Sequence, residues 1–398
     1  MVVDSDIKRL GFADFPVQHS LRILESDAAT SDKREAMSSI GRKRDPQLKG
    51  ILIKYTADPN PEVAMQAIRG LLVFRKDPIV HEYLATMCEH QNDMIREVVQ
   101  QEIYGNAPVE EDPHAASPNF MKNVVVQGDV LDILKNVPDR AIHLTFTSPP
   151  YYNARDYSIY KNYSEYLDFL ESVFSEVHRI TKEGRFFVLN TSPVIVPRAG
   201  RKYSSRRYPV PFDIHARLVK MGWEFIDDII WAKPEKSAKN RVAGFEMHRK
   251  PLTYKANART EYVMVYRKKS FKLIDWNLRQ YSMDVVNQSR VNDDFERSNV
   301  WNIAPVTDRV HSAVFPLRLC DHVVRLYSFV GDLVFDPFAG SGTLGKAALR
   351  LGRHFFMTEI REDYVGRIQE NIKREVKNYK SAKIMALDAF TRDATKCR

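Results

Sequence analysis

The most restrictive feature of the 398-residue sequence is the run Asp336-Pro337-Phe338-Ala339-Gly340-Ser341-Gly342-Thr343. Its glycines follow the apolar segment Asp332-Leu333-Val334-Phe335 and precede Leu344 to Leu351, whose pattern predicts a helix. Continued to Gly345, the turn matches G-x-G-x-x-G between a strand and a helix, and Glu359 follows Gly340 by 19 residues. Glycines there let backbone approach a ligand closely, and the later acid sits where a ribose hydroxyl would be bound. Alone, this pattern also fits a dinucleotide site. Two features argue otherwise. The turn comes so late that few elements remain for a second nucleotide-binding half, and a dinucleotide site needs no Asp-Pro-Phe-Ala lead-in.

Upstream, Asn123-Val124-Val125-Val126 predicts a strand running into Gly128-Asp129, followed by a short helix through Leu131 and Leu134. Ile142 to Phe146 is the next strand and ends on Thr147-Ser148-Pro149-Pro150-Tyr151. Helices are predicted from Tyr166 to Ile180, from Phe212 to Lys220 and from about Asp363, the last of the chain. Strands are predicted at Phe186 to Leu189, Ile226 to Trp231, Tyr262 to Tyr266 and Phe355 to Met357. Alternation of this kind implies a largely parallel sheet covered on both faces. From Arg198 to Val300 the rhythm gives way to loops rich in Arg, Lys, Tyr and Asn.

Ser148-Pro149-Pro150-Tyr151 carries its own chemistry. An exocyclic base amine is a poor nucleophile because its lone pair is delocalised into the ring. Fixed hydrogen-bond acceptors aimed at its N–H groups localise that pair. A serine oxygen and a backbone carbonyl in a stiff Pro-Pro turn suit this task, since proline fixes φ and lacks an N–H. Tyr151 offers a face for an extruded base. Isolated, Ser-Pro-Pro-Tyr is a common turn. At a strand end, in one chain with the glycine motif, it points to amine methylation.

Together these motifs resemble the β-class DNA amino-methyltransferases of restriction–modification systems, over about Asn123 to Lys377. The resemblance implies a Rossmann-like, S-adenosylmethionine-dependent methyltransferase fold with a mixed, mostly parallel sheet and circularly permuted motif order. It implies catalytic roles for Ser148, Pro149, Pro150 and Tyr151. Cofactor contacts would come from Asp129, Thr147, Phe315, Pro316, Asp336, Phe338, Gly340, Ser341, Gly342, Thr343 and Glu359. Asp129 would serve the cofactor's adenine and Glu359 its ribose. Asn299 to Ile303 and His311 to Pro316 resemble the segment leading to the helix before the cofactor strand. Ser312 stands where the family often has proline, so His311 is equally readable as a turn residue. Ser148 favours cytosine N4 over adenine N6 by family analogy. No cysteine follows a proline, which excludes the nucleophile used for methylation at cytosine carbon 5.

The net charge of +9 and pI near 9.2 suit a polyanionic partner, though a merely basic soluble protein has the same balance. Arg198, Arg201, Lys202, Arg206 and Arg207 surround Tyr203 and Tyr208, and a second basic stretch includes Lys233, Arg241 and Arg249. The resembled family inserts its target-recognition segment here, which implies contact with double-stranded DNA against the plainer reading of a solvated charged surface. Residues 198–300 are therefore expected to form this insertion together with some core strands, 119–197 the catalytic half and 301–398 the cofactor half.

Residues 1–118 are expected to form an α-helical, HEAT-like region and its linker. Arg44-Asp45-Pro46 recurs as Lys76-Asp77-Pro78 at an offset of 32 residues, and Asn60 recurs as Asn92. Leu48, Leu52 and Val63 then align with Val80, Leu84 and Ile95. So short an array fits a packing module as well as a binding one. Cys88, Cys320 and Cys397 show neither disulfide nor zinc spacing, so no metal is expected. Without a signal-like start or a membrane-length apolar run, a bacterial or archaeal cytosolic, nucleoid-associated protein is expected. A cognate restriction endonuclease is a candidate partner, and either a monomer or a homodimer is compatible. A helical-repeat scaffold with an inactive methyltransferase domain, and an enzyme acting on RNA, are the competing functions.

Overall fold

A computed structural model describes residues 17–104, 116–152, 160–196, 206–238, 241–270, 272, 274–293, 295–306, 316–375 and 382–396. These fall into two compact units, one within Met1–Asp112 and Phe271–Leu273 and the other within Pro113–Ser270 and Ile274–Arg398.

The first unit is helical. Its elements are α1 (Val17–Glu25), α2 (Thr30–Arg42), α3 (Lys49–Tyr55), α4 (Pro61–Leu72), α5 (Pro78–Thr86) and α6 (Asp93–Tyr104). The recurring Asp, Asn and Pro residues turn out to be helix starts. Asp77 and Asn60 cap α5 and α4 by accepting from the backbone N–H groups of Ile79 and Glu62, each followed by proline in the first turn. Asp45 does the same for a short 3-10 turn before α3, and Asn92 accepts from Ile95 N–H at the start of α6. A short polar side chain satisfies an orphan N–H, and proline has none to satisfy. The six aligned apolar residues are all buried in one core.

The second unit is built on a nine-stranded sheet in the order β11-β1-β10-β9-β2-β3-β7-β6-β8. Its strands are β1 (Val124–Gln127), β2 (Ile142–Thr147), β3 (Thr181–Thr191), β6 (Trp223–Ala232), β7 (Thr260–Lys268), β8 (Val300–Asn302), β9 (Leu333–Asp336), β10 (His354–Glu359) and β11 (Lys383–Ala386). A separate ribbon pairs β4 (Val194–Val196) with β5 (Arg206–Tyr208). Within the nine-stranded sheet, pairing is parallel except where β7 meets β3 and β6. The sheet is thus mixed and mostly parallel.

Alternate side chains of β1 feed opposite cores, as a two-residue period dictates. Val124 and Val126 pack with α7 (Val130–Leu134), α8 (Tyr163–Ile180) and α9 (Val210–Lys220), whereas Val125 joins the core holding α13 (Leu317–Tyr327), α14 (Thr343–Arg350) and α15 (Glu362–Glu375). Between these lie α10 (Ala243–His248), α11 (Ile274–Arg279) and α12 (Met283–Gln288). The helix expected to end the chain is α15, yet β11 and α16 (Leu387–Lys396) follow it. β11 is mostly exposed, and its short apolar run Ile384-Met385-Ala386 passes directly into the helix beginning at Leu387, with no turn residue to mark it as a strand.

Candidate active site

Parallel pairing brings the carboxyl ends of β1, β10, β9 and β2 to one edge of the sheet. Gln127 lies opposite Glu359, Met357 opposite Asp336, and Thr145 opposite Phe335. Ligands of open α/β sheets bind in the crevice outside such strand ends. A cavity of about 280 Å³ opens there. Its walls include Asp129, Ser148, Pro149, Pro150, Tyr151, Phe338, Gly340, Ser341, Thr343 and Glu359. Two motifs about 190 residues apart in sequence therefore share one cavity.

The glycine turn is held from below. Thr147 donates its hydroxyl to Asp336 Oδ1 at 2.6 Å, and Phe338 N–H donates to the same oxygen at 3.0 Å. Thr147 and Asp336 are both buried and lie beneath the cavity wall. Burial pushes the Asp336 carboxyl up to about 7, against the opposing pull of those two hydrogen bonds. Gly342 has φ +76°, and a Cβ added there would meet Ile368 Cγ2 at 2.7 Å. Only glycine starts α14 in this way without moving α15. Pro337 carbonyl accepts from Thr358 Oγ1 at 2.7 Å, and Asn371 Nδ2 donates to Ser341 carbonyl at 3.0 Å, tying the turn to β10 and α15.

Glu359 accepts the Gly340 N–H at 2.9 Å on Oε2 and the Arg361 N–H at 3.0 Å on Oε1. Burial pushes its carboxyl above the ordinary carboxylate range, partly offset by these amides. Asp129 caps α7 through Oδ1, accepting from Leu131 N–H at 2.8 Å, while also lining the cavity. The remaining wall was not evident from sequence. Phe169, Tyr160, Ile360, Arg361 and Tyr364 complete it. Arg361 lies 4.4 Å from the Tyr364 ring centroid. The only sequence signal for these residues is their nearness to Glu359 or to the amphipathic stripe of α8. The cavity thus offers acceptor oxygens beside flat apolar surfaces, an arrangement that fits a nucleoside whose free hydroxyls donate.

At the other wall, Tyr151 donates to Glu261 Oε2 at 2.9 Å, and Asn190 Nδ2 donates to the same oxygen at 2.7 Å and to Ser148 Oγ at 3.4 Å. The Lys233 ammonium pairs with Glu261 Oε1 and lies 4.5 Å from the Trp231 ring centroid. Burial, and after it the Glu261 charge, raise the Tyr151 hydroxyl well above its usual value. Sequence analysis grouped Lys233 with the DNA-contacting cations, whereas its ammonium is engaged in this network. Asn190 and Glu261 escaped notice because neither lies in a motif.

Of the other basic residues, Arg206, Arg207 and Arg241 meet around a second cavity of about 330 Å³, joined by Tyr254 and Lys255. Arg249 is exposed, with φ 50°, and its guanidinium lies 6.0 Å from the Phe245 ring centroid. Pro316 precedes α13, is buried and does not line the first cavity. Arg198, Arg201, Lys202, His311 and Phe315 lie outside the described residues.

A mixed, mostly parallel sheet with a nucleotide-type crevice at its strand ends defines an α/β protein of the Rossmann-like class. Comparison gives the family. Residues 142–370 match the N6/N4 DNA methylase family, and the chain belongs to it. The type II methyltransferase M.ScaI of Streptomyces caespitosus is 31% identical over 260 residues, covering 62% of this chain and 81% of that protein. The type II beta methyltransferase M.BslI of Bacillus sp. is 28% identical over 274 residues, but the chain spans only 29% of its length. Among solved structures, a Thermus thermophilus protein assigned as a DNA modification methylase and complexed with S-adenosyl-L-methionine is 29% identical with TM-score 0.53, covering 67% of this chain and 97% of that one.

Proposed function

We propose that this chain transfers a methyl group from S-adenosyl-L-methionine to the N4 amine of cytosine, in a base extruded from double-stranded DNA. The observation that carries this reading is the meeting of Ser148-Pro149-Pro150-Tyr151 and the Gly340 turn around one cavity. The cofactor supplies an electrophilic methyl group on a sulfonium. Glu359 would accept its ribose hydroxyls, Asp129 its adenine amine, and the Gly340–Thr343 backbone would receive its methionine end. Ser148 Oγ and a carbonyl of the Pro-Pro turn would accept from the substrate amine, localising its lone pair. Tyr151 would stack on the extruded ring.

Ser148 supports cytosine N4, on the family analogy. Arg206, Arg207, Arg241 and Arg249, with Arg198, Arg201 and Lys202, would contact DNA, and residues 198–300 would form the recognition segment along with some strands of the core sheet. The repeated caps and aligned core of α3–α6 support a HEAT-like array in residues 1–118. The likeness to type II enzymes supports a role in restriction–modification, with a cognate endonuclease as partner, in the cytosol. The test is digestion of DNA treated with purified protein and S-adenosylmethionine, followed by nucleoside mass spectrometry. N4-methylcytosine is expected, with Ser148→Ala as the inactive control. N6-methyladenine alone would overturn the choice of base, and no methylated nucleoside from varied DNA would overturn the activity.

A further inference from the structure

The helical unit is electrically polarised, and its packing sets the direction. Helices α2 and α4 lie side by side and point the same way. At their starts Asn60 Nδ2 donates to Thr30 Oγ1 at 3.2 Å, and Arg34 pairs with Glu62 at 3.3 Å. At their ends a Cβ added to Gly41 would lie 3.0 Å from Gly70 Cα. Helices α3 and α5 run together likewise, joined at their starts by Lys49 and Asp77 and at their ends by Thr56 and Tyr83. The turn from α2 to α3 therefore shares a rim with the turn from α4 to α5. On that rim, residues 41–49 and 73–79 hold Arg42, Lys43, Arg44, Lys49, Arg75 and Lys76 against Asp45 and Asp77. The opposite rim, formed by residues 25–32, 56–62 and 87–93, carries acids such as Glu25, Asp58 and Glu89 and neither lysine nor arginine.

The two acids of the basic rim are directed into the fold. Each accepts from backbone N–H groups at a helix start, and Asp77 also holds Lys49. Arg42, Lys43, Arg44 and Lys76 are exposed. Arg42 lies 3.5 Å from Glu35, and Arg75 lies 3.9 Å from Glu102; solvated pairs of this kind are weak and yield to a phosphate. A helix dipole favours cations at its last turn, which accounts for Arg42 and Lys43. It does not account for Arg44, past the cap, whose φ of 53° is a conformation that glycine takes at no cost. Such strain persists where a residue serves a site. Lys76 occupies the matching place ahead of the next capping acid, Asp77.

We propose that this rim is a further DNA-contacting surface, on which Arg44 and Lys76 each meet a backbone phosphate of the duplex whatever its sequence. Taking DNA as the partner rests on the methyltransferase reading above. Packed helices have axes about 8–10 Å apart. Each strand of a duplex carries one charge per about 3.4 Å of its axis, so the two turns reach different phosphates. Contacts of this kind add affinity and orient the duplex without reading its bases.

The experiment measures dissociation constants of the full-length chain for a labelled duplex of mixed sequence over a range of salt concentrations. Arg44→Gly combined with Lys76→Ala removes two phosphate contacts, so the slope of log affinity against log salt should fall by about 1.8. Glycine suits the backbone at 44, so the melting temperature should not drop and unfolding does not enter the result. Lys33→Ala combined with Lys54→Ala removes the same charge beside the opposite rim, from the start of α2 and the end of α3. Its slope should equal that of the wild type, and S-adenosylmethionine binding should be unaffected in both variants. An unchanged slope in the Arg44 and Lys76 variant overturns the inference, because no phosphate is then met there. An equal fall in both variants overturns it too, because only net charge then counts. A wild type that methylates no base, with the slopes differing as expected, would strike the activity and leave the rim standing.

Discussion

Asp336→Asn tests whether the carboxyl under the glycine turn is held protonated by its surroundings. The folded value of about 7 lies above the ordinary 3.8, chiefly through burial, with repulsion from Glu359 adding to it. Because the folded value is the higher, the stabilising contribution is complete below pH 3.8 and is lost as pH rises through about 7. In that window the unfolded chain has released the proton and the folded chain keeps it. Stability then falls by about 1.4 kcal/mol per pH unit from this group alone. Asparagine is neutral throughout and can still accept from Thr147 Oγ1 and Phe338 N–H through its amide oxygen. Between about pH 5 and pH 6.5 the wild type should therefore lose about 2 kcal/mol relative to the variant, or roughly 4–8 °C in melting temperature for a unit of this size. The assay is thermal unfolding of both proteins at several pH values in matched buffers. Titrating groups not coupled to Asp336 cancel in the difference. Parallel curves, with a constant gap across the range, would refute the reasoning.

Two further outcomes follow from the geometry. Gly342→Ala combines a left-handed backbone with a Cβ pressed against Ile368, and should cost about 2–5 kcal/mol; an unchanged melting temperature would show that α15 yields freely. Arg206→Ala combined with Arg207→Ala should weaken DNA binding and reduce the slope of log affinity against log salt by about 1.8, leaving cofactor binding intact. A slope equal to wild type would remove β5 from the interface.

What could be read from the sequence was local. The lead-in and glycines at Asp336 to Thr343 dictate a turn whatever surrounds them, and the apolar runs ending at Phe146 and Phe335 are strands by their own pattern. The caps at Asp77 and Asn60 were visible as a repeat before they were recognisable as caps. The network of Asn190, Lys233 and Glu261 was not legible, because each residue matters only through a partner 28 to 110 positions away. Lys233 illustrates the difficulty: composition grouped it with neighbouring cations, while pairing across β6 and β7 joined it to Glu261. β11 is not legible because its four residues run straight into α16, with no turn residue between them to separate strand from helix.

The junction of β2 with β9 also bears on how the protein is made. Thr147 and Asp336 are 189 positions apart, and at ordinary rates of synthesis roughly 10–40 s separate their appearance on the ribosome. During that interval β2 can pair with β3 but waits with its other edge bare, a surface prone to pairing with the wrong neighbour. The serine wall exists long before the glycine turn that completes the cavity. A nascent chain interrupted in between holds half a reaction centre, and the complete centre forms only when the last sixth of the chain threads β9 and β10 into the gap left between β1 and β2.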